Sequence, residues 1–94
     1  MERKELEVFS ALSNYAIVRM PGRSYPGCVI QGDSLSILLS YIERAHSLAL
    51  GTGNSELIDE LASLKESLED RLIHYEQVIK AHGFDLPYFR PRGN

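Results

Sequence analysis

The chain has 94 residues, a formal net charge of −3 and one cysteine. That length makes one domain (1–94) near the lower limit for folding without metals or disulfides, and the lone Cys28 excludes an internal disulfide. The negative balance argues against a long nucleic-acid partner, and the short apolar runs argue against a membrane partner. With no signal-peptide pattern, the chain reads as cytoplasmic.

The expected fold class is α+β: a small antiparallel β-meander (1–32), then an antiparallel helical hairpin, with oligomerisation. Residues 5–12 fit a strand by alternation, although Leu6, Phe9 and Leu12 also fit a helical stripe. Strand is favoured because Ser13-Asn14 makes a turn and Tyr15–Met20 is β-branched and aromatic. Pro21-Gly22 then suits a type II turn. A third strand is expected over Gly27–Gln31.

Asp33 is the expected N-cap of a first helix (33–50), whose apolar stripe runs Leu35, Leu38, Leu39, Ile42, Ala45, His46, Ala49. Gly51 is expected to end it as a left-handed cap. A second helix (55–82) carries Leu57, Leu61, Leu64, Leu68, Leu72, Tyr75 and Ile79. Its length outruns the first helix, so the overhang needs the meander, the tail (83–94) or a second copy to cover it. A second copy is favoured, giving a homodimer or higher oligomer.

Charge is unevenly placed. No acid occurs from Val8 through Gly32, where Arg19 and Arg23 stand, whereas Glu56, Asp59, Glu60, Glu66, Glu69 and Asp70 crowd the second helix. In the first stretch, Gly22 and Gly27 permit close backbone approach, the arginines offer forked donors and Tyr25 offers a stacking face. The helix start at Asp33-Ser34 adds free N–H groups. These elements suit a phosphate-bearing small molecule, with Gln31 either orienting it or bonding the loop. Equally, the arginines fit a tight solvated loop that pairs with the acidic helix. If the tail folds back, Arg90 and Arg92 join the same concavity.

Other candidates carry less. Asp33 and Ser34 are accounted for as caps rather than a catalytic pair. His46, His74 and His82 lack metal-ligand spacing, with Glu66, Asp70 and His74 fitting a solvated helix face. His82 sits where a cation suits a helix C-terminus. Cys28 reads as a packed thiol, and Phe84, Tyr88 and Phe89 as structural plugs. No nucleophile–base set appears, so no enzyme, cofactor or metal is expected.

The run Ile17–Leu35, with its Pro-Gly-Arg-Ser-Tyr-Pro-Gly core and Ile-Gln-Gly-Asp-Ser-Leu end, resembles the signature of short bacterial and phage proteins of unknown function. His82-Gly-Phe-Asp-Leu-Pro-Tyr88 resembles that family's ending. In size, charge layout and its Arg/Gly/aromatic loop, the chain is also similar to the phage anti-CBASS and anti-Thoeris sponges that sequester nucleotide signals. That likeness implies non-enzymatic binding of an anionic nucleotide-like molecule, such as a cyclic nucleotide or an ADP-ribose-type signal. The alternative is a protein-binding module, immunity- or antitoxin-like, that presents its acidic helix to a basic target.

Overall fold

A computed structural model describes residues 1–89. Strands β1 (Glu7–Ser10), β2 (Ile17–Arg19) and β3 (Gly27–Cys28) form an antiparallel sheet in the order β1-β2-β3, and helices α1 (Gly32–Leu50) and α2 (Ser55–Ala81) follow. The α+β class and the strand and helix order agree with the sequence reading. Each strand is shorter than expected, and Val29–Gln31 leads into α1 without joining the sheet as a strand.

The β1–β2 register places Glu7 opposite Arg19, Val8 opposite Val18 and Ser10 opposite Ile17, so Phe9 is an extra, bulged residue. The Pro21-Gly22 turn forms as its chemistry demands. Gly22 takes φ +80°, and the Arg23 amide donates to the Met20 carbonyl at 3.1 Å.

Two helix caps differ from expectation. Helix α1 begins one residue early, with Gln31 as N-cap and no side-chain capping bond. Asp33 instead lies inside the first turn, where its Oδ1 accepts from the Ser34 amide at 2.8 Å. Gly51 closes α1 with φ −69°, so it is not a left-handed cap; Gly53 supplies the positive φ in the connection. Asn54 caps α2 by accepting from the Leu57 amide at 3.1 Å.

The core is small: Leu35 and Leu39 of α1 bury against Leu72 of α2, with Leu68, Tyr75 and Tyr88 packed around them. Gly32 is required there. A Cβ at Gly32 would stand 2.0 Å from the Tyr75 ring, so only glycine lets the ring lie over the start of α1.

The residues after α2 fold back on its C-terminal end, one of the covers the sequence reading allowed, while Leu57, Leu64 and Val78 of α2 stay exposed. The Phe84 amide donates to the Ile79 carbonyl at 2.9 Å, and the Tyr88 hydroxyl donates to the buried Glu76 carboxylate at 2.7 Å. Tyr88 is therefore a plug, but Phe84 and Phe89 are exposed and are not.

Sheet and hairpin stand apart. Among the described residues, no strand Cα comes within 8 Å of a helix Cα. The radius of gyration is 16.2 Å, against about 12 Å for a compact chain of this length.

Candidate functional site

Side chains of neighbouring strand residues point to opposite faces of a sheet. Ile17 and Arg19 therefore share one face of β2, while Val18 points to the other. Arg23, which the sequence had placed in one site with Arg19, lies beyond β2 in the loop that leads to β3.

Arg19 is fully engaged. Its Nε donates to Glu7 Oε1 at 2.7 Å and its Nη2 to Glu7 Oε2 at 2.8 Å, a forked pair across the β1–β2 register. Its Nη1 reaches the Ser24 carbonyl at 3.5 Å, and its guanidinium lies 5.8 Å from the centre of the Phe9 ring. The expectation that no local carboxylate satisfies Arg19 is thus overturned. Glu7 lies just outside the acid-free stretch, and the hairpin folds it back. The pairing was open to sequence reasoning, because Glu7 and Arg19 are equidistant from the Ser13 turn.

Arg23 is different. Its side chain has no hydrogen bond or ion pair among the described residues. It borders a cavity of about 490 Å³ with Val18, Met20, Tyr25, Pro26 and Gly27, and with Cys28 and Val29, which also line the cleft between the sheet and α1. Gly27 has open space above it, and Tyr25 is 83% exposed, free to lie against a flat ligand.

The remaining predicted residues do not converge on this cavity. Gln31 and Asp33 border a separate hollow of about 360 Å³ with Gly32, Tyr75 and Pro87. Ser34 lines a third space, a cleft of about 490 Å³ between the sheet and α1. Arg90 and Arg92 lie outside the described residues. Cys28 is exposed at the sheet, not packed as a core thiol, because no helix covers β3.

Among the described residues, no His, Cys, Asp and Glu group could hold a metal ion, and no helix is long and apolar enough to cross a membrane. His82 accounts for itself locally, with Nδ1 2.9 Å from the Val78 carbonyl at the end of α2.

A family model matches residues 1–88, which takes in the whole sheet, both helices and the Tyr88 plug. The chain belongs to the Family of unknown function DUF6959. No curated protein and no solved structure matches this DUF6959 chain. The matched span carries every described candidate residue and stops short of Arg90 and Arg92.

Proposed function

We propose that this chain binds a small anionic ligand of the nucleotide class, without transforming it, in the cavity beside Arg23. The observation that carries this reading is the Arg23 guanidinium, which has no partner among the described residues and borders a cavity together with an exposed tyrosine. Arg23 is exposed and without a carboxylate partner among the described residues, so its fork is open to a ligand, and a phosphate can satisfy that fork with two parallel bonds. Tyr25 would stack on a base, and Val18 and Met20 supply an apolar floor. Arg19 plays no direct part, because Glu7 already occupies its donors.

Calorimetry against adenine-containing cyclic dinucleotides, ADP-ribose and adenosine monophosphate tests the reading. A charge-assisted contact contributes about 1.5–3 kcal/mol, so Arg23→Ala should weaken binding about ten- to a hundredfold. Arg19→Ala should leave affinity nearly unchanged. If the wild type binds none of these ligands, or if Arg23→Ala loses its fold, the reading fails.

A second reading has its own support. Glu56, Asp59, Glu60, Glu66 and Asp70 on α2 make no ion pair among the described residues and could face a basic protein. Charge reversal at Glu66 and Asp70 would abolish that interaction and spare ligand binding by Arg23.

A further inference from the structure

The Arg23 cavity does not end at its loop. Cys28 and Val29 line it, and the same two residues line the cleft between the sheet and α1. The two spaces therefore meet at β3. That strand is an open edge of the sheet, two residues long, with no further strand beside it among the described residues. A molecule anchored in one space can pass the edge of β3 into the other without breaking any strand pairing. The edge also offers a donor. The Val29 amide donates inward to the Ala16 carbonyl at 2.9 Å, and Cys28 stands opposite Ile17. Hydrogen bonding alternates along an antiparallel edge strand, so the Cys28 N–H points away from β2. An anion anchored by Arg23 shares its cavity with that donor.

The two spaces are alike in size and unlike in chemistry. Each holds about 490 Å³, within the range of small-molecule sites, about 300–1,000 Å³. The cleft presents Tyr15, Ile17, Val29, Ile30, Ile37 and Leu38, and none of its lining residues is charged. Besides the Cys28 thiol, its polar side chains are Asn14 and Ser34. A second nucleoside placed there would give up water from most of its ring nitrogens and hydroxyls for few partners. An alkyl or aryl group instead covers apolar surface, and each methylene it buries improves affinity about fourfold. Val29, Ile30, Ile37 and Leu38 are exposed, so that surface is there to be covered.

We propose that the anion held by Arg23 is amphiphilic, with its phosphate at Arg23 and an apolar chain or ring that passes the edge of β3 into the cleft. The inference rests on the ligand reading above and narrows it to phosphate esters that carry an apolar substituent. Continuity with the Arg23 cavity selects this occupant, because a molecule anchored there already stands at the mouth of the cleft. Its apolar part would also tie the sheet to α1, two elements that otherwise approach each other little.

Calorimetry on the whole chain with adenosine monophosphate, its octyl ester and octyl phosphate, all below micellar concentration, tests the proposal. The octyl ester should bind about a hundredfold or more tighter than adenosine monophosphate. Leu38→Gln and Ile37→Gln should each cut that ratio about tenfold, whereas Ser63→Gln on the exposed side of α2 should not. Both cleft positions are exposed, so glutamine keeps the helix, which circular dichroism checks. In a second measurement that needs no variant, nuclear magnetic resonance should show the octyl chain in contact with the Ile37 and Leu38 methyl groups. Equal affinity for the ester and for adenosine monophosphate, lost in Arg23→Ala, overturns this inference and leaves the ligand reading standing. Octyl phosphate bound through Arg23 while adenosine monophosphate is not bound supports the inference and overturns the nucleotide part of that reading. A gain that survives both glutamine variants without methyl contacts overturns it as non-specific adhesion. A dimer whose cleft excludes the ester overturns it in favour of a second copy there. Binding of none of the three, or binding indifferent to Arg23→Ala, overturns both.

Discussion

A guanidinium presents its donors in a flat fork, so the acceptors around it decide whether it can still take a ligand. Around Arg19 that decision is made by Glu7, and the pair holds β1 to β2 where the sheet is only a few residues long. Both side chains are partly exposed, so Arg19→Ala should cost only about 0.2–1 kcal/mol in urea unfolding. Gly32 is the more sensitive position. Gly32→Ala would drive a methyl group into the Tyr75 ring, and the overpacking should cost about 1–3 kcal/mol by the same measurement. The sequence shows Gly32 only as part of a turn-rich stretch. What makes it necessary is a ring on the other helix.

At the scale of elements, caps and plugs set the ends of the helices. Asn54→Ala should lower stability by about 0.5–2 kcal/mol, because its side chain satisfies the Leu57 amide at the start of α2. Asp33→Ala should cost less, since Asp33 bonds only the adjacent Ser34 amide and leaves the capping position to Gln31. Comparing the two variants by thermal unfolding separates a true cap from an acid in the first turn. Tyr88 joins the residues after α2 to its buried face through Glu76. Tyr88→Phe keeps the ring and removes the donor, so it should cost about 1–3 kcal/mol, with the melting temperature as the readout. The helices themselves were legible from apolar spacing, and so was the Pro21-Gly22 turn. The caps were not, because Gln31, Asp33, Asn54 and Gly51 are all reasonable helix-end residues, and their backbone angles depend on how each neighbouring element packs.

For the whole molecule, the controlling fact is how little the sheet and hairpin share. Association between copies, which the sequence reading expects, would make folding and association one equilibrium, so the melting temperature should rise with protein concentration. A melting temperature that stays constant across a wide range of concentration would point to an independently stable monomer. Ligand binding at Arg23 should raise the melting temperature as well, but in proportion to ligand rather than to protein, which keeps the two effects distinguishable.

By itself the sequence determined the α+β order, the Pro21-Gly22 turn and the polarity of charge, because all three follow from local residue chemistry and periodicity. The tertiary structure decided which of those residues meet. Strand register paired Arg19 with Glu7, whereas Arg23 lies in the loop beyond β2, outside that register. Helix packing made Gly32 indispensable, and it left Ile37, Leu38, Tyr41 and Leu48 of α1 exposed because α2 contacts only one side of that helix.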